Sequence, residues 1–315
     1  MKPFAFVFPG QGSQSVGMLD AWGDHPIVVQ TLQEASDALG EDVTALIKNG
    51  PKEALALTTN TQPVMLVSAV AAYRVWLAET GLTPSVVAGH SLGEYSALVA
   101  SGVLTLAQAA PLVRLRAQAM QDAVPVGQGA MAAILGLDAT KIIAVCADIT
   151  SASGENGSVQ AANFNDPGQT VISGSKAAVD AACEQLKAAG AKRALILLVS
   201  APFHSQLMRP AAEKLQEALK SVAFAAPQIP VVNNIDVSVQ TDATAIKDAL
   251  YRQAFGPVRW VECVAAIKAR GVTTIVECGP GKVLAGLVKR IDAELTGVAL
   301  FDPASLAEVK ALIQG

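Results

Sequence analysis

One stretch of the sequence combines residue types and spacing suited to nucleophilic chemistry, Gly89-His90-Ser91-Leu92-Gly93. Residues 85–88 before it form an apolar β-type run, and residues 94–100 after it read as the opening of a helix. A Gly-x-Ser-x-Gly between a buried strand and a helix is a nucleophile elbow, a turn so tight that the serine is strained and its hydroxyl projects outward. The following helix aims free N–H groups and its positive dipole end at the place where an oxyanion would form. The competing reading is an ordinary strand-to-helix turn whose small residues serve packing.

A serine nucleophile needs a base within hydrogen-bond reach. The chain has 3 histidines. His25 lies in a polar turn and reads as a surface residue. His90 adjoins Ser91 but points away from the turn, so it supports the elbow. His204, at a loop-to-helix junction, is the free candidate for the general base; its other reading is a helix-start residue. A triad would add an acid, yet Asp122, Asp138 and Asp166 are none of them compelling. A backbone carbonyl can orient Nδ1 as a carboxylate does, so a Ser–His dyad is the economical expectation.

The elements around these residues alternate. Residues 4–8 read as a strand buried on both faces, ending in the glycine-rich loop Pro9 to Gly17. Gly12-x4-Gly17 is followed by Met18 and Leu19, which excludes a P-loop, and Gly10-x-Gly12 lacks the third glycine of a dinucleotide fingerprint. The loop reads as backbone donors beside the site, or as a plain turn. A helix is expected over 61–79 with Thr61 as its cap and Pro63 in its first turn. Another is expected over 105–123, carrying Arg114 and Arg116 and kinked or broken at Pro111.

Between 128 and 199 the pattern is strand 129–135, helix 139–150, strands 158–164 and 169–172 around the turn Asn165-Asp166-Pro167-Gly168, helix 175–189 and strand 193–199. That βαββαβ order is ferredoxin-like. Residues 128–199 are therefore expected to be a subdomain inserted into an α/β domain made of 1–127 and 200–315. Downstream, a helix is expected from His204 to about 222, a strand over 229–235, helices over 243–254 and 258–269, and strand–helix pairs to the end. Strands alternating with helices argue for a mainly parallel sheet covered by helices.

Composition sets outer bounds. With 51% hydrophobic and 16% charged residues among 315, a large core is expected, and a net charge of −4 makes no case for nucleic acid. The N-terminal apolar run is too short for a signal peptide, and no stretch reads as membrane-spanning. Cys146, Cys183, Cys263 and Cys278 are spaced without a metal-ligand pattern, so no metal is expected and a reducing, cytoplasmic setting suits them.

The chain resembles the malonyl-coenzyme A:acyl carrier protein transacylases of bacterial fatty acid synthesis. The resemblance rests on Phe8-Pro9-Gly10-Gln11-Gly12-Ser13-Gln14, Thr61-Gln62-Pro63 and Gly89-His90-Ser91-Leu92-Gly93-Glu94-Tyr95-Ser96-Ala97. It continues through Arg114-Leu115-Arg116, Ala162-Asn163-Phe164-Asn165, Pro167-Gly168-Gln169, Phe203-His204-Ser205 and Gly279-Pro280-Gly281-Lys282-Val283-Leu284. It implies a hydrolase-like α/β fold with a ferredoxin-like insert, Ser91 as nucleophile and His204 as base. It further implies an oxyanion hole from the backbone N–H groups of Gln11 and Leu92, and Arg116 holding the free carboxylate of malonate. Gln62 and Gln253 would line the site, with the Gln253 carbonyl orienting the histidine; His90, Asn163 and Asn233 are further pocket candidates. Phe203 and Leu92 match a malonyl-selective pattern, in which a bulky ring crowds an α-methyl branch. Pro111 departs from the family and leaves the aim of Arg116 open.

The substrates so implied are malonyl-coenzyme A and holo acyl carrier protein, with no separate cofactor, since the phosphopantetheine arrives on the partner. An acidic carrier would meet a basic face, for which Lys187, Lys192, Arg193, Lys282, Lys289 and Arg290 are candidates. The chain begins almost at its first motif, so a free-standing protein is expected. A serine thioesterase or esterase, a non-catalytic carrier-binding module and an acyltransferase serving a polyketide pathway are the alternatives.

Overall fold

The computed structural model describes residues 2–154 and 157–315. Its described strands are β1 (Phe4–Phe8), β2 (Val86–Gly89), β3 (Gly129–Leu135), β4 (Val159–Asp166), β5 (Gln169–Ser175), β6 (Arg193–Ile196), β7 (Val231–Val232), β8 (Thr274–Cys278) and β9 (Thr296–Leu300). They form two sheets. One is parallel throughout, in the order β7-β2-β1-β8-β9. The other is antiparallel, in the order β4-β5-β3-β6, with helices Ala139–Ser153 and Lys176–Ala188 as its crossovers. This is the hydrolase-like α/β fold with a ferredoxin-like insert.

Every residue of β1, β2 and β8 is buried, because helices cover both faces of the parallel sheet. On one face Phe4 and Phe6 meet Trp76 edge-on, and Phe6 and Phe8 meet Tyr73 in the same way. Trp76 and Tyr73 belong to the helix Thr58–Thr80, which is apolar almost all round and runs through the core.

That helix starts three residues before the expected Thr61 cap, with Leu57 at its N-cap. The Thr61 hydroxyl instead donates back to the carbonyls of Leu55, at 2.6 Å, and Leu57, at 3.0 Å. Pro63 therefore lies inside the helix, and the Thr59 carbonyl loses its amide donor. Arg114 replaces it, donating to Thr59 O at 2.8 Å and to Asn60 Oδ1 at 2.9 Å.

The helix Leu106–Asp122 is likewise continuous through Pro111 and is not broken there. Thr105 and Gln108 cap each other's backbone and fix its start, and Pro111 removes a single bond from the second turn. Arg114 and Arg116, two positions apart, point about 200° away from each other around the helix. Only one of them can reach the site, and it is Arg116.

Other boundaries also moved. Helices Pro26–Leu39, Val43–Asn49 and Lys52–Ala56 occupy a region to which sequence patterning assigned nothing. The strand expected over 229–235 shrinks to Val231–Val232, because the Asn233 side chain accepts from Asp236 N at 2.8 Å and turns the chain. The helix expected from His204 begins at Arg209, after a short 3-10 turn at Gln206–Met208; His204 itself has φ 57°, outside any helix.

Replacing Arg114 by Met orphans the Thr59 carbonyl and is expected to lower stability by about 1–3 kcal/mol. The measurement is the urea midpoint, with Ser91 acylation expected to persist; an unshifted midpoint would mean that the carbonyl is served by water.

Candidate active site

The elbow is held by close approach. A Cβ on Gly89 would lie 1.8 Å from the Gly93 carbonyl carbon, and one on Gly93 would lie 2.0 Å from the Phe8 carbonyl oxygen, so both positions require glycine. Between them Ser91 takes φ 53°, a left-handed conformation that costs an ordinary residue about 1–3 kcal/mol. Asn234 supports it. Its Oδ1 accepts from Ser91 N at 2.8 Å, its Nδ2 donates to Gly89 O at 2.7 Å, and its own N–H donates to the Glu94 carboxylate at 2.9 Å.

Ser91 Oγ lies 2.7 Å from His204 Nε2. On the far side of the ring, Nδ1 faces the carbonyls of Gln253 at 2.9 Å and Gly256 at 3.1 Å. Carbonyls only accept, so Nδ1 carries the proton and Nε2 offers its lone pair to the serine hydroxyl. Two oxygens of the backbone thus occupy the place of a triad acid. The loop bearing His204 is tied down by Gln160, which donates to His204 O at 3.2 Å and accepts from Gln206 N at 2.9 Å.

Arg116 is only 2% exposed. Its guanidinium donates to Gln62 Oε1 at 2.6 Å, to Gln253 Oε1 at 3.0 Å and to Ser91 Oγ at 3.3 Å. It also lies 5.6 Å from the centre of the Tyr95 ring. Burial, and secondarily this cation, push the His204 imidazole down to about 3, against the pull of the Gln253 and Gly256 carbonyls. Behind the guanidinium the buried Glu94 carboxyl is raised to about 7 by burial, opposed by the Asn234 and Gln253 donors and the Arg116 charge.

The remaining sequence candidates divide. The Gln11 side chain accepts from Thr58 Oγ1, which in turn accepts from Gln62 Nε2 at 3.4 Å. Among the described residues, neither Gln11 N–H nor Leu92 N–H donates to a backbone carbonyl. The loop of Gln11 packs on the elbow so closely that a Cβ on Gly10 would meet the His90 carbonyl oxygen at 2.7 Å. The His90 ring bonds Asn165 Oδ1 at 2.8 Å and lies against Trp260, joining the elbow to the end of β4. Phe203 is buried beside His204.

Asn163 and Asn233 do not join the constellation. Asn163 makes no side-chain hydrogen bond to these groups among the described residues; its neighbour two positions on, Asn165, does so instead. Asn233 commits its side chain to the turn that reaches Ser238, and Asn234 takes the place beside Ser91. Sequence reasoning missed Asn234, Glu94 and Gln160. Glu94 left a signal, being the single charge in the otherwise uncharged helix Gly93–Ala100. Asn234 and Gln160 left none, because they act across more than forty positions of chain.

A strained hydroxyl activated by a neutral imidazole is the apparatus of an acyl-serine enzyme, and a fixed cation at the same oxygen suits an acyl group that ends in an acid. The chain belongs to the acyl transferase domain family, whose model matches residues 5–299. It is 54% identical over 308 residues to the malonyl CoA-acyl carrier protein transacylase of Salmonella typhimurium, covering 98% of each chain. It superposes with TM-score 0.95 on the crystal structure of an acyl-carrier-protein S-malonyltransferase from Burkholderia pseudomallei, at 62% identity and covering 99% of this chain and 100% of that one. A type II PKS acyl-carrier protein in complex with its malonyl-transacylase is matched at 50% identity and TM-score 0.95, with 100% of both chains covered.

Because the folded His204 value lies below the free value of 6.5, the imidazole keeps its lone pair as the pH falls through 6.5. Inactivation by a serine-directed sulfonyl fluoride is therefore expected to stay level between about pH 7 and 5. In Arg116→Ala one cause of the depression is gone, and the acid limb should move upward. A wild-type limb centred near the free imidazole value would contradict this account.

Proposed function

We propose that the chain is an acyl-carrier-protein S-malonyltransferase, moving malonyl from malonyl-coenzyme A to the phosphopantetheine thiol of holo acyl carrier protein for fatty acid synthesis. The observation that carries this reading is the meeting of a base and a cation at one atom: His204 Nε2 at 2.7 Å and the Arg116 guanidinium at 3.3 Å from Ser91 Oγ. His204 takes the Ser91 proton as Oγ attacks the thioester carbonyl, and coenzyme A leaves as its thiol with the proton from the imidazole. The carrier thiol then gives its proton to His204, attacks the malonyl-serine, and regenerates the free hydroxyl.

Gln11 and Leu92 N–H groups are the proposed oxyanion donors, a role consistent with their freedom from backbone acceptors. Arg116 takes the distal carboxylate, with Gln62 and Gln253 as the amides that orient it. An acetyl group offers this cation nothing to bind. Phe203 and Leu92, both buried next to the reacting pair, favour malonyl over its α-methyl homologue. No separate cofactor enters this scheme. Lys187, Lys192, Arg193, Lys282, Lys289 and Arg290 are exposed and suit an acidic carrier. No described helix is long and apolar enough to cross a membrane, and a cytoplasmic location is part of the proposal.

The test is intact-mass spectrometry of the protein with malonyl-coenzyme A, then with holo carrier added. A malonyl adduct is expected on the wild type, absent in Ser91→Ala, and passed to the carrier thiol. An adduct that decays to malonate in the presence of carrier would mark a thioesterase instead.

A further inference from the structure

Gln253 reaches Arg116 through one end of a side-chain amide, and an amide has two ends of opposite hydrogen-bonding sense. Presented with its NH2 group forward, it would face the guanidinium donor to donor. The structure holds it the other way from behind. Gln253 Nε2 donates to the Glu94 carboxylate at 3.0 Å and to the Ser91 carbonyl at 3.0 Å, which leaves Oε1 for Arg116 at 3.0 Å.

Glu94, Gln253 and Arg116 are all at most 2% exposed, so water cannot take over either contact. The Glu94 carboxylate touches neither Ser91 Oγ nor the guanidinium, and the acyl-transfer scheme gives it no step. It sits on the first turn of the helix Gly93–Ala100, whereas Gln253 lies on Ala243–Phe255 and Arg116 on Leu106–Asp122. One carboxylate thus fixes, through one amide, the attitude of a cation on a third helix.

We infer that Glu94 is a positioning residue for acyl specificity: it locks the Gln253 amide so that Arg116 is presented to the free carboxylate of the acyl group. This inference rests on the malonyl-transfer reading. It makes the preference for a dicarboxylic acyl group depend on a residue that never meets the substrate. The preference should weaken when Glu94 can no longer accept from Gln253, even though Arg116 itself is intact.

The experiment compares kcat/KM for Ser91 acylation by malonyl-coenzyme A and by acetyl-coenzyme A, read by mass spectrometry. In Glu94→Met the malonyl-to-acetyl ratio is expected to fall roughly tenfold or more, chiefly through KM for malonyl-coenzyme A. Glu94→Gln, which keeps an oxygen able to accept from Gln253, should restore most of the ratio. In a Gln253→Met background, adding Glu94→Met should lower the ratio no further. If Glu94→Met does not fold by circular dichroism, Glu94→Asp, whose carboxylate stops one methylene short, carries the same expectation. Equal losses for both thioesters, or losses that multiply in the double variant, would overturn the inference. A wild type that never carries malonyl on Ser91 would instead sink the functional reading itself.

Discussion

The contact on which the site depends lies on the side of the imidazole away from the serine. With two carbonyls at Nδ1, the ring has one permitted tautomer and one orientation, and its lone pair can point only at Ser91 Oγ. A carboxylate there would do the same and would also stabilise an imidazolium; neutral carbonyls fix direction with far less of that charge stabilisation. The proposed base is therefore held in its uncharged form by burial and by the neighbouring cation. This arrangement depends in turn on where the helix Ala243–Phe255 ends, since Gln253 and Gly256 supply the carbonyls. Arg252 secures that end, donating to both oxygens of Asp236 at 2.6 and 2.7 Å.

The second constraint is a buried positive charge. Removing a guanidinium from water is expensive unless its donors are met, and Arg116 retains a buried Nε without a partner among the described residues. Two amide oxygens and an aromatic face offset only part of that desolvation. They hold a cation in place without neutralising it, which is what a site for an acidic acyl group needs. Glu94 lies near enough to be felt electrostatically, yet an amide stands between it and the charge.

Much of this was legible in the chain itself. The Gly-x-Ser-x-Gly pattern between a strand and a helix located the elbow, because glycine is demanded by contacts as short as 1.8 Å and nothing larger could stand there. The βαββαβ order was readable because short β-type runs and helical patterns follow one another there, with a strong turn at Asn165-Asp166-Pro167-Gly168 between β4 and β5. The aim of Arg116 was harder to read: local rules placed a kink or a break at Pro111, whereas a reciprocal cap fixes the helix start and the helix runs on through the proline. Asn234 and Asn233 could not be told apart, since which of two adjacent asparagines reaches Ser91 depends on a turn closed by contacts at 2.8 Å and 3.5 Å. Thr61 misled for a related reason, as a hydroxyl that caps a helix start and one that bonds back within the first turn look alike in sequence.

The two sheets are also stitched together. Phe164 N donates to Val258 O at 2.9 Å and Val258 N to Ala162 O at 2.8 Å, so the edge strand β4 is bonded to the segment between the helices Ala243–Phe255 and Trp260–Lys268. Beside this seam run the His90–Asn165 bond and the Gln160 tether to the His204 loop. An insert attached in this manner is not a lid. Swinging it outward would break main-chain bonds and drag the loop that bears the imidazole with it. The spacing of hydroxyl and base is consequently tied to how the insert is seated, because β4 carries both the seam and the Gln160 tether to the loop of His204.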